Sequence, residues 1–136
     1  MRVFVDAPLL IYLNATRTPE VRRAYEDFYL DLLSKHRAFS DALVLDEVIY
    51  VSKRKYNVPY DVTREFIESI VLPFVEILPI GAGEFEKASE ILRSHRVRPS
   101  DALHLGAMAV NGITSIVSED REFDGIEGVK RIWLEG

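Results

Sequence analysis

Short apolar runs alternate with stretches of helical periodicity along this chain, and this alternation restricts the possible folds more than any other feature. Strands are predicted at residues 2–6, 38–40, 74–80 and 113–117, with a final short strand at 131–134. Strands that alternate with helices indicate a parallel sheet covered on both faces. The sequence therefore predicts an α/β protein with three layers, α/β/α, around a central, mainly parallel sheet of four to five strands.

The predicted helices have recognisable start and stop signals. Thr18-Pro19-Glu20 combines an N-cap, a proline at the first helical position and an acid in the first turn, so a helix should run from there to about His36. Asn111-Gly112 is a typical helix end. The other helices are predicted at 9–13, at 42–56 after a cap by Ser40 or Asp41, from an Asp61 cap through about residue 72, at 84–95 and at 99–110.

Length and composition fit a single domain over residues 1–136 with one hydrophobic core. No apolar run is long enough to span a bilayer, and the first residues lack the apolar stretch of a signal peptide. Cysteine is absent, which excludes disulfides, zinc–thiolate sites and cysteine nucleophiles. We therefore expect a cytoplasmic location and no membrane partner.

The formal net charge of −5 argues against broad, non-specific duplex binding, which requires a basic face. It leaves a nucleic acid substrate possible, because the basic residues are clustered. All but the Arg22-Arg23 pair lie at predicted helix C-termini, where cations are favoured for structural reasons alone. The other clusters are Lys53-Arg54-Lys55 and Arg93 with His95, Arg96 and Arg98.

Four acidic residues occupy positions that can converge in such a fold. Asp6 ends the first strand and Asp120 follows the fourth, and parallel sheets collect functional side chains at the carboxyl ends of their strands. Glu47 and Asp101 each lie on a mostly apolar predicted helix. Converging carboxylates repel one another unless a cation neutralises them. The pattern therefore predicts a hard divalent metal, Mg²⁺ or Mn²⁺.

Each of these acids also has a structural explanation. Asp6 could cap the segment that begins at Pro8, and Asp120 could belong to an ordinary acidic loop. Asp101 stands in a first helical turn, where the helix dipole favours an acid.

Two further residues, Asp46 and His104, lie close in sequence to the candidate acids. Asp46 has as apolar a setting as Glu47, so periodicity does not choose between them. His104 is expected to pack against the sheet rather than bind metal, because Mg²⁺ avoids imidazole.

The order of these motifs resembles that of the PIN-domain ribonucleases, including the VapC-like toxins of VapBC-type toxin–antitoxin pairs, and the likeness covers nearly the whole chain. In that family an aspartate ends the first strand, and a glutamate lies in the helix after the second, which favours Glu47 over Asp46. A third acid opens a helix, and a fourth follows a Ser or Thr at the end of the fourth strand. The matching segments are Val5-Asp6, Leu45-Asp46-Glu47-Val48, Asp101-Ala102-Leu103-His104-Leu105 and Ser118-Glu119-Asp120.

The resemblance implies a PIN-like fold and a metal-dependent endoribonuclease that hydrolyses RNA phosphodiester bonds. Asp6, Asp101 and Asp120 would be the main ligands of Mg²⁺ or Mn²⁺, and Glu47 would bind a second ion or a metal-bound water. Further expected roles are the orientation of Asp120 by Ser118, an acid beside the metal ligands at Asp124, and guidance of the RNA backbone by Lys53, Arg54, Arg96 and Arg98.

The same resemblance implies partners. These are an RNA substrate, a cognate antitoxin that inserts a basic side chain into the acidic pocket, and a second copy of the chain in a homodimer or higher homo-oligomer. The apolar aromatic face Tyr25, Phe28, Tyr29 and Leu32 also motivates the dimer.

One departure from the family supports an alternative. The family usually has polar residues after the first aspartate, where this chain has Ala7-Pro8, so hydrogen bonds that would support the site are lost. The alternative is a degenerate, non-catalytic PIN-like module that binds RNA or protein. Other phosphate-handling enzymes fit poorly. An aspartyl-phosphate phosphatase requires an aspartate at position 8, and a phosphoacceptor receiver domain requires an acid after the third strand.

Overall fold

A five-stranded, wholly parallel sheet forms the centre of the protein. The computed structural model describes residues 1–134, so the last two residues of the predicted domain lie outside the described part. The strands stand in the order β3-β2-β1-β4-β5 and pair in parallel throughout. Their bounds are β1 (Arg2–Val5), β2 (Arg37–Asp41), β3 (Val75–Leu78), β4 (Ser115–Val117) and β5 (Lys130–Ile132).

The helices cover both faces of this sheet. They are α1 (Ala7–Ala15), α2 (Pro19–Lys35), α3 (Ala42–Tyr56), α4 (Tyr60–Phe66), which continues as a π-helix over Ile67–Val71, α5 (Ala82–Ser94) and α6 (Pro99–Val110). The chain steps from β1 through β2 to β3, then returns to β4 on the other side of β1. Right-handed crossovers then place α1 to α4 on one face and α5 and α6 on the other. The predicted three-layer α/β/α fold is confirmed.

Burial follows the apolar runs. Val3, Phe4 and Val5 of β1 are almost fully buried, as expected for a central parallel strand covered on both faces. Gly106 of α6 packs so closely on α5 that an added Cβ would overlap the backbone of Glu84. None of the helices within residues 1–134 is long and apolar enough to cross a membrane.

Element boundaries differ from the predictions where a cap decides them. The first helix begins at Ala7 rather than Leu9, because the Asp6 side chain accepts a hydrogen bond from the Ala7 N–H. Asp41, not Ser40, caps α3 by accepting from the Val44 N–H (3.0 Å). Asp61 lies inside the first turn of α4, whose N-cap is Pro59. The last strand is β5, so residues 133–134, predicted as strand, are not part of it.

The apolar aromatic face of α2 packs within the chain. Tyr29 and Leu32 are buried in the core. The Tyr25 ring stacks on the Tyr12 ring (centroids 4.8 Å apart), and Phe28 meets Trp133 edge-on (5.7 Å). This face is satisfied inside one protomer, so it no longer supports the predicted homodimer.

Candidate active site

The candidate site lies at the carboxyl ends of β1 and β4. The chain runs from β1 toward β2 on one side and returns to β4 on the other, so the sheet reverses its order between these two strands. Such a switch point leaves a crevice beyond the strand ends, where α/β proteins bind ligands. Asp6 follows β1, and Ser118 and Asp120 follow β4. The topology therefore positions the two strand-ending acids at one place.

Asp6 is held through both of its carboxylate oxygens. Oδ1 accepts from the Ala7 N–H (2.8 Å), which caps α1, and Oδ2 accepts from the Ser118 hydroxyl (2.7 Å). Its role as a cap and its place in the acidic cluster are therefore compatible. Only 5% of Asp6 is exposed. The carboxylate is fixed without a polar side chain at position 7 or 8.

Ser118 is bonded differently from the prediction. Its hydroxyl donates to Asp6 and accepts from the backbone N–H of Asp120 (3.1 Å). The sequence predicted a contact that orients Asp120. The structure shows that Ser118 holds the Asp6 carboxylate directly and Asp120 only through its backbone.

Asp101 reaches the cluster from a helix rather than from a strand end. It stands in the first turn of α6 and is almost fully buried. Asp6, Asp101 and His104 offer ligand atoms that all lie within 4.8 Å of one another, and so do Asp101, Asp120 and Glu122. Burial raises the pKa of Asp101, Arg98 opposes this rise, and the Asp6 charge adds to it. Asp101 is therefore the acid common to both groups.

Glu47 faces this cluster and Asp46 does not. Glu47 is half-buried, whereas Asp46 is exposed. Burial raises the pKa of Glu47, and the nearby Asp6 charge raises it further, while Arg98 opposes both effects. The four predicted carboxylates Asp6, Glu47, Asp101 and Asp120 therefore lie in one electrostatically coupled neighbourhood.

His104 packs against the sheet, as the sequence predicted, and has an unpredicted partner. Its ring lies on Phe4 (centroids 5.5 Å apart), and its Nδ1 lies 2.7 Å from Asp41 Oδ2. The Nε2 atom faces Asp6 Oδ1 at 4.0 Å. Burial opposes protonation of His104, but the hydrogen bond and charge of Asp41 outweigh it and raise the His104 pKa. When protonated, this ring would offset part of the carboxylate charge.

Arg98 lies across the mouth of the cluster. Its Nε donates to Asp101 Oδ2 (3.2 Å), and a terminal nitrogen is 3.6 Å from Asp120 Oδ2. The side chain remains 62% exposed. Of the four residues predicted to guide RNA, Arg98 is the one in contact with the acids. Lys53 and Arg54 are exposed in the last turn of α3, and Arg96 is exposed before α6.

The acid beside Asp120 is Glu122 rather than the predicted Asp124. A 3₁₀ turn, Arg121–Gly125, follows Asp120, whose carboxylate caps it by accepting from the Glu122 N–H (2.9 Å). Burial and the charges of Asp120 and Asp101 raise the pKa of Glu122. Asp124 instead forms an ion pair with Arg131 (2.9 Å). The spacing Asp120-x-Glu122 was visible in the sequence, but the turn that directs Glu122 inward was not.

The donor set fits a hard cation. Apart from a ring nitrogen of His104, the converging atoms are carboxylate oxygens, which Mg²⁺ and Mn²⁺ prefer. The positive group beside them is the largely exposed guanidinium of Arg98, joined by the His104 ring when that ring is protonated. Burial is the main cause of the raised pKa values of Asp101 and Glu47, and a divalent ion beside Asp101 would offset the carboxylate repulsion that adds to it.

Comparisons with known proteins show the family of this chain. The PIN domain family model matches residues 3–129. Ribonuclease VapC13 of Mycobacterium tuberculosis is 30% identical over 133 residues, covering 96% of this chain and 98% of that relative.

Two solved structures show the same fold. VapBC2 from Rickettsia felis, bound to a DNA fragment from its promoter, matches with a TM-score of 0.74 at 16% identity and covers 98% of each chain. VapC20 of Mycobacterium tuberculosis, a toxin that cleaves the sarcin-ricin loop, matches with a TM-score of 0.71 at 20% identity, covering 93% of this chain and 98% of that one.

Proposed function

This chain belongs to the PIN domain family, and on that basis we propose that it is a metal-dependent endoribonuclease, the toxin of a toxin–antitoxin pair. The observation that carries the proposal is that Asp101 lies close to Asp6 in one group of side chains and close to Asp120 in a second, at the switch point of the sheet, with Glu47 coupled to the charges of Asp6 and Asp101. The ribonuclease name of the relative at 30% identity over nearly the full length supports RNA as the substrate.

The chemistry follows from the roles of the side chains. Asp6, Asp101 and Asp120 would hold Mg²⁺ or Mn²⁺, with Glu47 binding a second ion or a metal-bound water. The bound metal would polarise the scissile phosphate and lower the pKa of the attacking water. Ser118 and the Ala7 N–H keep Asp6 oriented toward the site. The Arg98 side chain is more than half exposed where it contacts Asp101 and Asp120. With a metal ion bound to these two acids, Arg98 would be free to contact an RNA phosphate.

The degenerate-module alternative loses most of its support. It rested on the missing polar residues at Ala7 and Pro8, and the Ser118 hydroxyl supplies a hydrogen bond to Asp6 from another strand. A site with its first aspartate so fixed retains what a metal ligand needs.

An antitoxin is the proposed protein partner. VapBC2 of Rickettsia felis has the same fold. The way Arg98 contacts Asp101 and Asp120 supports the mode of inhibition, because it shows that a guanidinium fits between these two carboxylates. A basic side chain from the partner would compete with the metal there.

We also propose a homo-oligomer in the cytoplasm, where an RNA substrate is available. Exposed apolar side chains support self-association, namely Leu30, Ile70 and Phe74, which line one groove between α2 and the end of the π-helix. Sedimentation showing only monomer at micromolar concentration would count against the oligomer.

Asp101→Asn tests the proposed activity. The substitution removes a ligand charge without changing volume, so the fold should persist while metal-dependent cleavage falls by about a hundredfold or more. Cleavage of labelled single-stranded RNA is measured with Mg²⁺ or Mn²⁺ and with EDTA, using Asp27→Asn as an exposed matched control. Undiminished cleavage by folded Asp101→Asn protein would rule out this site. Absence of both cleavage and Mn²⁺ binding in the wild type would favour the binding module.

A further inference from the structure

A groove runs from the acidic cluster between α1 and α3. Its inner part is lined by Glu47, Arg98 and Glu119, and its outer part by Thr16, Arg17 and Asn57. Tyr12, Lys55 and Tyr56 line both parts, so the two hollows form one path, called here the α1–α3 groove. The inner hollow measures about 280 Å³ and the outer one about 650 Å³, and the outer volume lies in the range of ligand pockets.

Helical spacing places several of the residues that line this groove on one face of α3. Glu47, Val51 and Lys55 recur every four residues on α3, so one helix face carries both the active-site acid and a lysine two turns away. Asn57, with a φ of +57°, ends the helix immediately after Tyr56, and its N–H bonds to the Lys53 carbonyl. This helix end keeps Lys55 and Tyr56 at the rim of the groove.

The groove offers aromatic faces and cations side by side. Tyr12 is held in place because its hydroxyl donates to Glu119 Oε1 (2.6 Å) and its ring stacks on Tyr25. Tyr56 is 38% exposed and Lys55 is exposed beside it. The Glu119 carboxylate is thereby engaged, while Lys55 and Arg17 remain as exposed positive charges. Tyrosine faces that stack with unpaired bases, combined with cations that contact the backbone, are typical of single-strand recognition.

We propose that the α1–α3 groove binds the single-stranded RNA next to the bond that is cut, with one base stacked on Tyr56 and with Lys55 and Arg17 contacting the phosphates. This deepens the proposed function and rests on it, because Glu47 and Arg98 of the candidate site line the inner part of the groove. RNA is favoured over a protein segment by the charge of the outer groove, where Arg17 and Lys55 are the charged residues of its lining. A single strand is favoured over a duplex because bases inside a duplex cannot stack on a side chain.

Binding of a fluorescein-labelled oligouridine, followed by anisotropy in EDTA with the whole chain, tests the proposal without any cleavage. Tyr56→Ala should weaken binding by about tenfold, and Tyr56→Phe should bind like the wild type because it keeps the stacking face. Lys55→Ala should lower the slope of log K against log salt concentration by about 0.7, as expected for one lost phosphate contact with a single strand.

Two control substitutions match these changes outside the groove. Tyr60→Ala removes an exposed tyrosine at the start of α4, and Lys35→Ala removes an exposed lysine at the far end of α2. Both should bind the oligouridine like the wild type. Thermal melting checks that every variant is folded. We expect the Lys55 and Tyr56 variants to fold because both residues are exposed at a helix end.

The outcomes separate this inference from the proposed function. Unchanged RNA binding by both Tyr56→Ala and Lys55→Ala, or no RNA binding by the wild type, would overturn the inference and leave the groove to a protein segment. If these variants keep the metal-dependent cleavage of the wild type, the RNA-binding role of the groove is contradicted and the proposed nuclease function is not. If RNA binding depends on Tyr56 and Lys55 but no metal supports cleavage, the RNA-binding role of the groove is supported and the proposed nuclease function is contradicted.

Discussion

Asp6 meets two demands with its two carboxylate oxygens. One oxygen caps α1 and the other accepts the Ser118 hydroxyl, so the side chain is fixed before any ligand arrives. The partner of Asp6 lies 112 residues away in the sequence, on another strand. Asp6, Asp101 and Asp120 could be predicted because each follows a local signal, a strand end or a helix start, whereas the choice of Glu47 over Asp46 came from the resemblance to the PIN-domain family. Their hydrogen-bond partners could not, because they depend on contacts between distant segments.

Ser118→Ala should weaken the site without removing any of the four acids. It deletes the hydroxyl that fixes Asp6 and leaves a buried carboxylate oxygen short of a donor. We expect Mn²⁺ affinity, measured by calorimetry, to fall by about 10- to 100-fold. Stability should fall by about 1–3 kcal/mol in denaturant unfolding. Ser34→Ala, at an exposed serine of α2, is the control, and equal Mn²⁺ affinity in the two variants would refute this role of Ser118.

At the scale of elements, α6 connects the site to the rest of the fold. It carries Asp101 in its first turn and His104 one turn later, and it packs on α5 through Gly106. The bounds of α6 could be predicted from Pro99 and from Asn111-Gly112. The pairing of His104 with Asp41 could not, because the two residues are 63 positions apart and meet only when α6 folds over β2.

Gly106→Ala tests how closely α5 must approach α6. The new Cβ would overlap the Glu84 carbonyl and press on the backbone of Ala88, so the helices must separate. We expect a loss of about 2–3 kcal/mol in the free energy of unfolding. Gly83→Ala, in α5 with nothing within 4 Å of the added Cβ, should instead gain about 0.5–1 kcal/mol. Similar effects from both substitutions in urea unfolding would contradict the close approach.

At the scale of the whole molecule, strand order brings the acids together. The sequence predicted a parallel sheet, and a parallel sheet gathers its strand ends at one edge, so convergence of Asp6 and Asp120 was foreseeable. The direction of each side chain was not. Asp124 turned toward Arg131 and Glu122 turned inward, because a 3₁₀ turn of five residues sets their directions. Arg98, predicted to guide RNA, contacts Asp101 because it is the N-cap residue of α6, three residues before Asp101.

The stability of the metal-free protein should depend on pH through His104. Its folded pKa is raised above 6.5, so the folded state binds more protons there than the unfolded state. The stabilisation is complete below pH 6.5 and is lost as the pH rises through the folded pKa. Melting temperatures in EDTA should therefore fall across this window, and Asp41→Asn should flatten the fall. His95→Gln, which changes a partly buried histidine at the end of α5, should leave the fall unchanged. A flat wild-type profile would contradict the Asp41–His104 account.

The most direct test of the central claim compares two neighbouring acids on one helix. Glu47 faces the carboxylate cluster and Asp46 faces solvent, although the sequence around them is equally apolar. The measurement is the rate of cleavage of labelled single-stranded RNA in Mn²⁺ by Glu47→Gln and Asp46→Asn proteins. The account predicts a loss of about a hundredfold for Glu47→Gln and none for Asp46→Asn. Equal rates for the two variants would mean that the cluster described here is not where RNA is cut.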